Sequence, residues 1–293
     1  MESLLYMIEF ILFIGTAIFT VIFFVFWYRP LNNVWPADRV KTARGVLSAL
    51  PIIASVLILV TLFSWASFDV TDSFFYILLY YSMGMAWIFG SMYAIAYFFD
   101  LSWQDDGLYL GNIAALPAIA SAFLANTLIY TGANIGDGPG WWCVVVAGGL
   151  GFAVWIALGM LLNAAAQVFE RITVERNLCC GIRVACYLLA SGILLARASA
   201  GDWTSFGATL VEFIVGGWPV LPLTLLAIVV ERASLRKEAA AESGAAAGTN
   251  IALLIGLGYI AFAVISLLLL IPPVNQNPLY SADIRFASLG VLM

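Results

Sequence analysis

Eight stretches of this chain are apolar over about twenty residues or more, and they constrain the fold more than any other feature. They run near 4–28, 45–66, 74–99, 111–133, 141–168, 176–198, 206–231 and 250–271. A helix rising about 1.5 Å per residue crosses a hydrocarbon core about 30 Å thick in about 20 residues. The runs are continuous, unlike the alternating strands of a membrane β-barrel. With 63% of the 293 residues hydrophobic and 10% charged, too few polar side chains remain to cover a soluble domain of this size. The sequence therefore predicts an all-α integral membrane protein of about eight transmembrane helices, a single membrane domain over 1–293. Its main partner is the lipid bilayer, and no basic stripe suggests nucleic acid. The N-terminal MESLLYMIEF lacks the positive region of a signal peptide, so the first run is expected to be a retained span.

Loop charge sets the expected orientation. Arg29, Arg39, Lys41 and Arg44 follow the first run, Arg171 and Arg176 the fifth, and Arg232, Arg236 and Lys237 the seventh. All fall on one side of an eight-helix path, against Arg197 and Arg285 on the other. The positive-inside rule makes the first set cytoplasmic, with both termini outside. The loop 100–109, with Asp100, Asp105 and Asp106 and no base, dissents, but acidic residues weigh little in that rule.

The chain also resembles itself. ALPIIASVLILVTL (49–62) and ALPAIASAFLANTL (115–128) share eight of fourteen positions at an offset of 66. Asn112–Asp137 and Asn177–Asp202 share seven of 26 at an offset of 65, including the first Asn and the final Gly-Asp. The fifth and seventh runs end in VFER and VVER. The expectation is a parallel repeat of two-helix units of about 65 residues. This divides the chain into 1–44 (first helix and basic loop), 45–104, 105–169 and 170–249 (hairpins, the last with a small-residue linker at 233–249), and 250–293 (last helix and tail).

The segment ERITVERNLCCGIRVACYLLASGILLARASAGDW, 170–203, resembles the bacterial membrane family typified by YjfL, which carries the domain of unknown function number 350. The likeness lies in an acidic residue, then Asn, then an apolar helix with small residues ending near Gly. It covers about 105–232 well. It implies repeated helical hairpins and a bacterial inner (cytoplasmic) membrane. It implies no activity. The long first helix, the WPVLP break and the 233–249 loop depart from the pattern.

Chemistry is sparse. Without His there is no imidazole catalysis or His-ligated metal. Cys143, Cys179, Cys180 and Cys186 lack zinc-site spacing and read as small apolar residues at helix interfaces. No metal, cofactor or enzymatic reaction is expected. Three charges fall inside spans: Glu9, Arg183 and Glu212. Glu9 and Glu212 lie at about one depth, roughly 7–9 Å from the outer face, where two carboxylates would share a proton or hold a cation. The alternative for Glu212 is an ion pair with Arg197. Arg183 is expected to snorkel or to pair with Glu170 or Glu175.

VEFIVGGWPVLPL, 211–223, breaks its own helix. Pro219 and Pro222 each remove a backbone donor, which strands carbonyls near Val215 and Trp218 in a solvent that cannot satisfy them. With Gly216 and Gly217, the break is either a packing kink or a discontinuous helix lining a solute path. Asn112, Asn177 and Asn250 are expected as N-caps, or as a ring of helix N-termini that binds an anion. Asn126, Asn163 and Gln167 are expected to bond between helices, and the Asp100–Asp106 loop to be solvated. The leading expectation is a channel or transporter for a cation, proton or small solute. The ion or solute path would include Glu9, Glu212, Gly216, Gly217, Pro219, Pro222 and Arg183. The alternative is a non-transporting scaffold or subunit packed against membrane-protein partners or a second copy. A membrane-embedded enzyme ranks third.

Overall fold

A computed structural model of the protein describes residues 2–35, 38–238 and 245–274. The central part of the 233–249 linker and the tail with Arg285 lie outside the described residues. The helices are α1 (Glu2–Asn33), α2 (Asp38–Ser64), α3 (Phe68–Thr71), α4 (Phe74–Phe99), α5 (Ala115–Ala133), α6 (Trp141–Ala166), α7 (Val168–Thr173), α8 (Leu178–Ser199), α9 (Phe206–Gly217), α10 (Val220–Glu238) and α11 (Ala245–Leu269), with a π-helical turn at Trp103–Tyr109. Among the described residues seven are long and apolar enough to cross a membrane, and α9 and α10, bent by 43° at the break between them, pass the same test only as a pair, which gives seven or eight spans. The helices overrun the apolar runs at several ends. α1 continues through Pro30 to Asn33, and α11 begins before Asn250.

The spans pack as two staggered rows. In one row α2 meets α5, α5 meets α8, and α8 meets α11. In the other α1 meets α4, α4 meets α6, and α6 meets α10. The α5–α8 contact is the most extensive, and small residues explain it. A Cβ on Gly132 would run into the Ala196 carbonyl, one on Gly181 into the Ala114 carbonyl, and one on Gly192 into Ala125. Lipid tails are as apolar as Leu, so close backbone approach supplies the association that water would otherwise drive. Cys186 fits against Gly256 in the same way between α8 and α11.

The connections gather at two ends. At one end the loops after α2, α5 and α8 touch: Ala66 bridges Gly136, Gly201 N–H donates to Ile135 O (2.8 Å), and Trp203 N–H donates to Asp137 O (2.6 Å). Gly136 and Gly201, 65 positions apart, both have positive φ (113° and 146°), where a side chain would be strained. This end carries Asp69, Asp137 and Asp202.

The opposite end carries Arg29, Arg44, Arg171, Arg176, Arg232 and Arg236. There Trp27 stacks on Trp103 at 4.0 Å and donates its indole N–H to Leu47 O (3.0 Å). Two of its loops share a backbone shape. Asp100 and Gln167 end α4 and α6 at φ 49°, and Gly111 and Arg176 follow at φ 55°. Then Asn112 N–H donates to Asp106 O and Asn177 N–H to Arg171 O, each at 2.9 Å.

Candidate functional site

The acidic end holds a cavity of about 40 Å³. Helix ends from both rows wall it: Tyr80 of α4, Cys143 and Ala147 of α6, Ser199 of α8, and Thr209 and Glu212 of α9, with Asn134 following α5. At roughly 10–15 Å³ per water it has room for about three. Its lining includes three carboxylates, Asp69, Asp137 and Glu212, and no Lys or Arg. Above it lies a dish of about 640 Å³ that shares Asp69 and Asp137 and adds Asp202 and Thr204.

Each polar group is positioned by local structure. Ser205 caps α9, accepting from Ala208 N–H (3.2 Å), and so starts the helix whose next turns carry Thr209 and Glu212. Glu212 is 7% exposed. Asn134 ends α5, with its amide N–H donating to Tyr130 O (2.8 Å), which leaves the side-chain carbonyl as its acceptor. Tyr130 in turn donates to Tyr80 O (2.6 Å), which ties α5 to α4 beneath the cavity. Ser199 is 6% exposed, and neither its Oγ nor the buried Thr209 Oγ1 has a hydrogen-bond partner within the protein. Neither oxygen is accessible from the cavity, and Ser199 Oγ lies against Gly151 of α6.

The second polar centre is at the basic end. Glu231 of α10 accepts from Arg183 of α8 through both oxygens (Nε–Oε1 2.6 Å, Nη2–Oε2 2.8 Å) and from Arg171 of α7 (Nη1–Oε2 3.0 Å). The side chains are 2–5% exposed. The Cys180 thiol lies 3.7 Å from Glu231 Oε2. This corrects the expected role of Arg183. It is buried rather than snorkelling, and it pairs with Glu231, a carboxylate the sequence reading did not offer it. Arg171, counted by the sequence as a loop charge, is buried.

The other expected residues fall in different places. Glu9 accepts from Tyr76 O–H (3.0 Å) across the α1–α4 contact and is not part of the cavity lining, so it does not form a shared site with Glu212 there. Arg197 donates to Ala200 O (3.4 Å) and Pro272 O (2.6 Å), and its guanidinium lies near Gly216, one turn beyond Glu212. Gly216 and Gly217 press on Ala198, Pro219 is buried, and Pro222 faces outward; none of the four lines the cavity. The break keeps its bonding better than proline counting suggests. Leu221 N–H donates to Trp218 O (3.1 Å), a carbonyl the sequence reading strands.

Of the three asparagines, Asn177 caps α8 through Cys180 N–H (3.0 Å). Asn112 accepts from Ala114 N–H (3.0 Å) and donates to Ile172 O (2.9 Å), which ties two basic-end loops. Asn250 is an exposed residue within α11, not a cap, because the alanines before it already continue the helix. Asn250 is thus not at a helix N-terminus, unlike Asn177. Asn163 does not bond to another span; it accepts from Phe169 N–H (3.0 Å) and starts α7, while Gln167 forms the left-handed link. Asn126 accepts from the Trp87 indole (3.1 Å), as an interhelical bond should.

Sequence reasoning missed Glu231 and the convergence of Asp69, Asp137 and Ser199. The VVER ending and the two Gly-Asp pairs were the available signals. Among the described residues no group of three Asp, Glu, Cys or His is placed to hold a metal ion. No protein-family description, curated protein or solved structure matches this chain.

Proposed function

We propose that the chain is a channel or transporter that admits a cation, a proton or another small solute at its acidic end, with the Glu212 cavity as the entry vestibule. One observation carries this reading: the cavity at the acidic end is lined by three carboxylates and no Lys or Arg, beneath a wider acidic dish. Walls of one sign in a low-dielectric surround concentrate the counter-ion. Carboxylates inside a span are costly, face the bundle interior and commonly mark an ion or proton path. The test is flux in proteoliposomes. Wild-type flux that Glu212→Gln loses supports the vestibule, and equal flux in both rejects it.

A scaffold role is the second reading, supported by the packing of Gly216 and Gly217 of the break against α8 at Ala198, with neither glycine in the cavity lining. Absence of flux in either folded protein favours it.

In this proposal the acidic end faces outside and the basic end faces the cytoplasm, so both termini are outside. In a background without native cysteines, Thr204→Cys should react with an impermeant thiol reagent applied from outside, and Arg236→Cys should not. The reverse pattern overturns the orientation. The spans are further read as parallel copies of one hairpin. Support comes from the matched φ values of Asp100 and Gln167, of Gly111 and Arg176, and of Gly136 and Gly201, at offsets of 67, 65 and 65. The likeness of 170–203 to the YjfL-type family supports placement in a bacterial inner membrane.

A further inference from the structure

We propose that a groove lined by α2, α5, α8 and α11 holds one phospholipid, with its phosphate at the acidic end and an acyl chain running toward the middle of the bilayer. The groove has a volume of about 570 Å³, within the roughly 300–1,000 Å³ of sites that enclose a small molecule. It exists because α5 and α8 pack so closely. Gly132 and Ala196 meet there and leave a low floor, with larger side chains of α2 and α11 along its sides. The inference does not depend on the transport reading.

The order of the lining selects an amphiphile. All four helices reach the acidic end with their C-terminal turns. On three of them an apolar lining residue is followed one turn later by a polar one: Leu57 by Thr61, Leu128 by Thr131, and Ile193 by Arg197. The apolar part of the groove therefore lies inward and the polar part at the acidic end, as the parts of a lipid do. From Leu57 to Trp65 is about 12 Å at about 1.5 Å per residue, most of the roughly 15 Å of hydrocarbon in one leaflet.

The polar end selects a phosphate. Thr61 is 5% exposed, yet its Oγ1 has no hydrogen-bond partner within the protein and, unlike Ser199 Oγ, is not sealed from the surface. Its hydroxyl therefore opens on the groove it lines. Arg197 is the one charged residue in the lining, and no carboxylate accompanies it there. Its bonds to Ala200 O (3.4 Å) and Pro272 O (2.6 Å) fix the guanidinium at the mouth. A positive charge beside a hydroxyl donor suits a phosphate oxygen, which takes charge-assisted hydrogen bonds from Arg. An uncharged lipid gains nothing from that charge.

The test measures binding in detergent, where bulk lipid does not compete. The purified full chain is stripped of lipid and titrated with dioleoylphosphatidylglycerol or with dioleoylglycerol, which has the same chains and no phosphate. Bound molecules are counted by native mass spectrometry. One phospholipid per chain should bind saturably, and dioleoylglycerol about tenfold more weakly or worse. Thr61→Val, which keeps the shape of the side chain, and Arg197→Gln should each weaken phospholipid binding by about tenfold, the loss of one contact to a charged group. Ala196→Phe, which fills the floor, should abolish it. Should a variant fail to fold, the comparison of the two lipids on the wild type still decides. Equal, unsaturable binding of both lipids overturns the proposal, as does phospholipid binding that Thr61→Val and Ala196→Phe leave unchanged. Saturable binding only by a chain ending at Val274 would make the segment 275–293 the occupant instead. A lipid-independent dimer that Ala196→Phe disrupts would make it a second copy.

Discussion

Replacing Glu231 by Gln removes one negative charge from between two buried guanidinium groups and changes almost nothing in shape. Glu231 accepts three charged hydrogen bonds, at 2.6, 2.8 and 3.0 Å. At about 1.5–3 kcal/mol each, three such bonds would sum to about 4.5–9 kcal/mol. The amide of Gln keeps one acceptor oxygen, so part of that survives. Its NH₂ group, however, points a donor at a donor. Removing one member of a buried ion pair is generally worth about 3–5 kcal/mol, mostly as the penalty on the charge left behind. Glu231→Gln should therefore lose about 3–5 kcal/mol in reversible unfolding measured in mixed micelles.

The effect should be strongly non-additive. Arg183→Met should cost less in the Glu231→Gln background than in wild type, with a coupling of about 0.5–3 kcal/mol. Replacing all three residues by apolar ones of similar volume should recover much of the loss. A Glu231→Gln protein within about 0.5 kcal/mol of wild type would refute the reasoning, since that is the range of surface substitutions.

Three further outcomes are expected. Gly132→Ala should destabilise by about 1–3 kcal/mol because its Cβ meets the Ala196 backbone, whereas Gly258→Ala, with nothing within 4 Å, should change stability by less than about 0.5 kcal/mol; equal effects would contradict the α5–α8 packing. Burial raises the carboxyl pKa of Asp106, so the folded protein holds that proton to higher pH than the unfolded chain, and the group's contribution falls as pH rises through the folded value. Asp106→Asn, which keeps an acceptor for Ser102 N–H, should accordingly melt at or above the wild-type temperature near neutral pH, and the gap should close on acidification; a gap independent of pH refutes this. Pro222→Ala should leave flux unchanged, because Pro222 faces outward and Trp218 O is already bonded; altered flux would place the break in the path.

Much of the fold is legible because membrane helices are written locally. Twenty apolar residues suffice to mark a span, and the WPVLP break appears as the 43° bend between α9 and α10. Asn177 caps the helix it precedes, since a cap depends only on its own next turn. Helix ends are less legible where sequence composition does not stop them. Asn250 reads as a start because Asn is a strong N-cap and NIAL at 250 echoes NIAA at 112, but alanines are good helix formers and α11 begins earlier. Partners across helices are least legible. The depth of Arg183 could be estimated, but not which of several carboxylates at the basic end would meet it, because that depends on the rotation of α10 beyond its bend. The cavity was half legible. Glu212 marked one wall, and Gly136-Asp137 and Gly201-Asp202 marked the loops, but nothing local showed that Asp69 and Asp137 line one cavity with it.

The central claim is that a cation enters the protein at its acidic end. The most direct test is voltage-driven cation uptake by vesicles holding Thr204→Cys, at the dish, or Arg236→Cys, at the other end, each in a background without native cysteines and each treated with a bulky impermeant thiol reagent. Uptake should stop when Thr204→Cys is modified on its own side and should return when the adduct is reduced off. Uptake unaffected by that modification, or absent from folded, untreated protein, would contradict the account.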